Sequence, residues 1–177
     1  TQHKSAPPAA VFDKYKHITP NLSMRMSNLV ACVLRPQLRE IQTRAQDWNA
    51  LYANLEEKIN AIDRLLVHPR EPGEEFVASS IQFQVSGLLG AHIQVFSDNC
   101  TSRGVAIKWF GGAEPVGYTS QYNHWEYLEK QDLPATTTIL STTCDMRIPL
   151  ALTGQHCVTI AEIMSDEMTI IRNSLIY

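Results

Sequence analysis

The stretch SMRMSN, residues 23–28, sets a guanidinium at Arg25, a hydroxyl at Ser27 and a carboxamide at Asn28 just before the apolar run LVACVL, residues 29–34. The first turn of a helix carries N–H groups without intrahelical acceptors. A cation and small polar donors beside such a start compose an anion site, because free N–H groups and a charge-assisted hydrogen bond converge on one place. The same residues have a plainer use, in which Ser27 caps the helix and Arg25 stays in water. AIKWFGG, residues 106–112, offers Lys108 and Trp109 on a short strand, where a solvated lysine and a core tryptophan are the alternatives. DMRIPL, residues 145–150, offers Arg147, which strand alternation sets opposite Met146 and Ile148. A surface ion pair with Asp145 or Glu162 is the plainer use of that arginine. Tyr118, Tyr122, His124 and Trp125 gather in the loop after AIKWFGG, where aromatic tips either line a cleft or fold onto their own domain.

There is no Ser-His-Asp arrangement, nucleophile elbow, phosphate loop or paired-carboxylate motif in the sequence. The 177 residues suffice for one ordinary domain, and 44% hydrophobic against 19% charged residues argue for a folded chain. A net charge of −3, with no basic stripe and no polybasic patch, gives no electrostatic ground for nucleic acid or a membrane surface. No apolar run has the length of a bilayer span, and the first residues do not read as a signal peptide. Residues 1–10, TQHKSAPPAA, read as a disordered or fragment-end leader. Cys32, Cys100, Cys144 and Cys157 make no C-x-x-C pair, so reduced, mostly buried thiols in a cytoplasmic protein are expected. The histidines keep no zinc-ligand spacing with them, and the neighbours His156 and Cys157 point apart on a helix.

Periodicity gives the elements that must position the candidates. From Pro36 onward, apolar residues fall at steps of three and four: Leu38, Ile41, Ala45, Trp48, Tyr52, Leu55, Ile59, Ile62 and Leu66. That spacing predicts a helix of about thirty residues with one apolar seam, and Pro36 in its first turn. A shorter helix at 27–35, capped by Ser27 and apolar all round, is expected to be buried. Strands are expected at 76–85, 105–110 and 146–152, the last brief or at an edge because of Pro149. Helices are expected at 88–103 with Gly104 as C-cap, at 133–144 with Pro134 at N1, and at 154–173 with Thr153 as N-cap. A short helix is expected at 121–129. The sum is an α/β layer, an α+β small domain with a small, largely antiparallel sheet covered by helices, preceded by one long amphipathic helix.

Taken in order, SMRMSNLVACVLRPQL, the seam helix, RGVAIKWFG, LPATTTIL and CDMRIPLALT resemble the C-terminal half of a DegT/StrS-type aminotransferase over roughly residues 20–172. These are pyridoxal-phosphate enzymes of fold type I. The resemblance implies a leader at 1–20, connecting helices at 21–66 and the small C-terminal domain at 67–177. It also implies a large domain ahead of this region, carrying the lysine that forms the Schiff base with the cofactor. None of Lys4, Lys14, Lys16, Lys58, Lys108 and Lys130 stands in the motif expected for that lysine. The implied protein is therefore a fragment or a split-gene product, completed by an N-terminal half or a second subunit in a homo- or hetero-oligomer. Arg25, Asn28, Ser27 and Ser23 are implied as contacts to a cofactor phosphate held mainly by the neighbouring subunit. Many members have asparagine where this chain has Ser23.

Arg147 is implied as the bidentate partner of an amino acid carboxylate, since such an arginine often stands on the small domain of fold type I enzymes. Lys108 and Trp109 occupy a place where sugar-nucleotide members carry a histidine-and-proline motif. The departure leaves the amino acceptor open. The implied activity moves an amino group from an amino acid to a keto or aldehyde acceptor, with this chain supplying a cleft wall and a phosphate contact. Two other functions compete. One is a non-catalytic assembly or regulatory subunit descended from such a domain. The other is a coiled-coil dimerisation module built on the seam helix, which fails if that helix packs on its own domain's sheet.

Overall fold

A computed structural model describes residues 8–18, 26–71, 73–74, 76–117 and 120–175. Within the segment read as a leader, Ala9–Tyr15 forms a short helix, α1. Ser27 then starts α2, Asn28–Gln37, with its Oγ accepting the N–H of Val30 at 3.2 Å. Pro36 lies inside α2 rather than in the first turn of the long helix. Proline has no N–H to continue the ladder and crowds the preceding turn. The chain tightens into a 3-10 turn at Leu38–Glu40 before α3, Ile41–Asn60. The seam of α3 is buried at Tyr52, Leu55 and Ile59 against the last helix, α6 (Gly154–Ser174), and the sheet, which takes that stretch away from any coiled-coil use. Past Asn60 the helical spacing no longer applies. The chain turns into β1, Leu65–Leu66, where neighbouring side chains face opposite ways, so Leu65 is buried and Leu66 exposed.

The remaining elements are β2 (Ser80–Val85), α4 (Gly90–Ser102), β3 (Ile107–Trp109), α5 (Pro134–Leu140), β4 (Thr143–Arg147) and α6 (Gly154–Ser174). Gly104, at φ +92°, ends α4 as expected. Its N–H reaches Thr101 O, and the N–H of Val105 reaches Cys100 O, the paired bonds of a Schellman end. The four strands run antiparallel in the order β1-β2-β4-β3. β4 is thus an inner strand, not an edge, because Pro149 falls after the ladder has ended. The helix expected to reach residue 144 stops at Leu140, since Thr143 and Cys144 are needed in β4. The expected helix at 121–129 is only a 3-10 turn at Tyr122–His124.

α3, α4 and α6 cover one face of the sheet, with Phe83, Ile81, Ile93, Phe96, Leu55, Ile59 and Met164 fully buried. The architecture is the expected one, a small antiparallel sheet layered by helices. The expected burial of α2 is not met. None of its residues is buried, and Leu29, Val30, Val33 and Leu34 are exposed. No described part of the chain packs over that stripe. Cys32 goes with it and is exposed, while Cys100, Cys144 and Cys157 are buried thiols.

Candidate functional site

Alternation gives the sheet two unlike faces. Ile81, Phe83, Val85, Ile107, Cys144 and Met146 enter the core. Their neighbours Ser80, Gln82, Gln84, Lys108, Thr143, Asp145 and Arg147 fall on the opposite face. The register sets Gln82, Asp145 and Lys108 abreast on three strands, with Arg147 beside Ser80. Asp145 is only 6% exposed on this polar face. Lys108 Nζ stands 4.0 Å from its Oδ2, and the lysine stem lies over Gly117, where an added Cβ would come within 2.9 Å of Nζ.

A cleft of about 380 Å³ opens on the same face, lined among others by Tyr52, His68, Phe76, Gln82, Gln84 and Thr143. Arg70 lies over its two rings, 3.4 Å from the Phe76 centroid and 4.3 Å from that of Tyr52. Burial, and then the charge of Glu56, raises the Tyr52 phenol above its ordinary value, although Arg70 opposes the shift. The structure therefore brings Lys108 and Arg147 to one face, on either side of Asp145. Arg147 is exposed and forms no ion pair with Asp145 or Glu162.

Trp109 does not join them. It belongs to the core side, where its Nε1 donates to Ser141 O at 2.9 Å and its indole fills the space a Cβ would take at Gly90 or Gly111. At the start of α2, Ser27 uses one oxygen lone pair on the Val30 N–H and keeps its hydroxyl hydrogen for another acceptor. The N–H groups of Asn28 and Leu29 find no acceptor among the described residues. Arg25 and Ser23 lie outside the described residues, as does Tyr118. Among the described residues no group of three or more His, Cys, Asp or Glu side chains could hold a metal, and no helix is long and apolar enough to cross a membrane.

The sequence pattern of the DegT/DnrJ/EryC1/StrS aminotransferase family matches residues 3–165. The chain belongs to that family. Solved structures of low identity share its fold. 3-Amino-5-hydroxybenzoic acid synthase aligns with a TM-score of 0.63 and 16% identity, over 91% of this chain and 46% of its own. The aminotransferase TlmJ from Streptoalloteichus hindustanus aligns with a TM-score of 0.62 and 13% identity, over 77% and 35%. The sugar aminotransferase CalS13 from Micromonospora echinospora gives 0.55 and 11%, over 73% and 32%. The chain thus spans between a third and a half of the length of these structures. No curated protein sequence matches it significantly.

Membership in the DegT/DnrJ/EryC1/StrS family implies pyridoxal phosphate, and the residues present can be tested for fit. The start of α2 offers donors, the Ser27 hydroxyl and two N–H groups without an acceptor among the described residues, which suit a phosphate oxygen. Lys108 points toward Asp145, with its Nζ 4.0 Å from Oδ2. The chain's own residues at the start of α2 fit the cofactor's phosphate end. Sequence reasoning missed Asp145 and Gln82, although the alternation of SIQFQV and TCDMR already places them on the face of Lys108 and Arg147.

Proposed function

We propose that this chain is the C-terminal, substrate-cleft part of a pyridoxal-phosphate-dependent aminotransferase. The lysine that binds the cofactor is supplied by an N-terminal half or a second subunit. The observation that carries the reading is the polar sheet face, where two cations, Lys108 and Arg147, flank the nearly buried Asp145 in a chain of aminotransferase family. The cofactor, when bound, supplies the electron sink for moving an amino group between an amino acid and a keto or aldehyde acceptor. Arg147 would take the amino acid's carboxylate through its planar fork. Asp145 would orient Lys108 on the polar sheet face, its Oδ2 standing 4.0 Å from Nζ. Ser27 and Asn28, with Arg25 and Ser23 beside them in sequence, would donate to the cofactor phosphate across the interface between subunits. Trp109 would act indirectly, by fixing the strand that carries Lys108.

The test is amino transfer by the complete enzyme isolated from its source, followed with a 15N-labelled amino acid. Arg147→Ala should raise the KM for the amino acid about tenfold or more, and Arg147→Lys should restore only part of it. An unchanged KM would remove Arg147 from substrate binding. In the same preparation, borohydride reduction of the bound cofactor, after free pyridoxal phosphate has been removed, should leave every lysine of this chain unmodified. A label on Lys108 would overturn the assignment of the cofactor lysine to another segment. A complete enzyme that neither retains cofactor nor transfers nitrogen would favour an assembly or regulatory subunit instead.

A further inference from the structure

The segment between β3 and α5 is tied down at its polar points and presents the carbon faces of its rings. Tyr122 Oη shares a hydrogen bond of 2.7 Å with Thr137 Oγ1, and Trp125 Nε1 donates to Ser120 Oγ at 2.9 Å. Tyr127 stacks on Trp125 with centroids 5.7 Å apart and planes 22° from parallel. Gln121 Nε2 donates to Gly112 O at 2.6 Å, and the N–H of Glu126 donates to His17 O at 2.8 Å. The rings are thereby fixed before any ligand arrives, which lowers the ordering cost of binding.

Between them lies a hollow of about 150 Å³, lined by the rings of Tyr122 and Trp125, by Leu128 and Leu133, and by the polar side chains of Asn123, Glu129, Lys130 and Gln131. An apolar cavity of about 150 Å³ accepts a benzene ring. Neither Glu129 nor Lys130 forms an ion pair among the described residues. A carboxylate and an ammonium, neither of them ion-paired among the described residues, therefore line a ring-sized hollow together with two aromatic rings and two leucines.

We infer that this hollow binds a free α-amino acid with an aromatic or branched apolar side chain. The side chain enters between Tyr122 and Trp125. The ligand's ammonium faces Glu129 and its carboxylate faces Lys130. A simple amine keeps the first attraction but meets the like charge of Lys130, and a simple acid meets that of Glu129, so the rim selects the zwitterion. A nucleotide sugar exceeds the volume. The hollow shares no lining residue with the cleft over the sheet, and the inference stands without the aminotransferase reading.

The test needs only the purified chain and neither cofactor nor partner. L-Phenylalanine, phenethylamine and 3-phenylpropionate are titrated separately while the indole N–H resonances of Trp48, Trp109 and Trp125 are followed, with Trp125→Phe for assignment. L-Phenylalanine should shift the Trp125 signal saturably and leave the other two in place. Each analogue lacking one charge should bind about fivefold more weakly, the scale of one solvent-exposed ion pair. Glu129→Gln should abolish the preference over 3-phenylpropionate, and Lys130→Gln the preference over phenethylamine. Absence of a saturable Trp125 shift, equal binding of the three compounds, or preferences unaltered in both variants would each overturn the inference.

Discussion

At the scale of single residues, the buried thiols give the clearest pH dependence. Burial pushes Cys100 and Cys144 from the ordinary 9.0 up to about 12, with the charge of Glu167 adding to the shift at Cys100. Below the ordinary value both folded and unfolded chains keep these protons, and the thiols contribute no slope. As pH rises from about 9 toward 12, the unfolded chain releases protons that the folded chain holds, so stability falls. Each thiol contributes a loss of up to about 1.4 kcal/mol per pH unit in that window. Urea midpoints at about pH 8 and 10.5 should show the fall, and Cys144→Ala should make it shallower at the same two pH values. An equal fall in parent and variant would assign the slope to other groups. Iodoacetamide at about pH 8 should meanwhile modify Cys32 and spare the other three. The sequence made Lys108 and Arg147 legible, because alternation on a strand fixes which face a side chain takes. It left Trp109 between two uses, since an aromatic residue on a strand serves core and cleft equally well. It could not foresee that Asp145 would be nearly buried on the polar face, because burial there depends on which strands and loops lie alongside, not on alternation within one strand.

At the scale of elements, α6 shows a cap that is read from sequence and then refined by structure. Thr153 was expected as N-cap, and its Oγ1 accepts the N–H of His156 at 3.3 Å. His156 completes the box in return, with Nδ1 accepting the N–H of Thr153 at 3.0 Å. A glutamate usually fills that third position, and its charge also favours the positive end of the helix. Thr153→Ala should cost about 1 kcal/mol, measured as a lower urea midpoint with unchanged slope. His156→Glu should raise the midpoint, whereas His156→Ala should lower it. A rise with alanine would show that the ring bond is not stabilising. Helix starts were legible here because a cap is local chemistry. Helix lengths were less so: Pro36, Leu140 and Asn60 mark places where the next element's demands overrode an apolar spacing that ran on. The inner position of β4 was also hidden, because strand order depends on pairing across distant sequence, and Pro149 was read as lying inside the strand when it follows it.

At the scale of the whole molecule, the question left by the fold is what covers α2. Leu29, Val30, Val33 and Leu34 line one stripe of a helix with no buried residue, directly after the polar cluster of Ser27 and Asn28. The apolar character of the stripe is legible in residues 29–34, but its neighbour is not. An apolar helix in an isolated chain predicts burial without saying against what. The solved relatives are two to three times the length that this chain spans in them, so the family's architecture includes surface that this chain does not provide. Covering these four side chains is worth about 1.5–3 kcal/mol each, enough to hold subunits together. The double variant Leu29→Glu, Val33→Glu should therefore separate association from folding. Because neither side chain is buried, its thermal unfolding should stay within about 0.5 kcal/mol of the parent. Association of the chain, with itself or with the completing subunit proposed above, should weaken by more than a hundredfold in sedimentation equilibrium, and cofactor retention by the proposed complex should fall with it. A variant that folds and associates like the parent would show that α2 is not the interface. The polar cluster beside it would then be an ordinary helix cap. A variant that folds but no longer associates would place the start of α2, where the N–H groups of Asn28 and Leu29 find no acceptor among the described residues, at the seam between the associating chains.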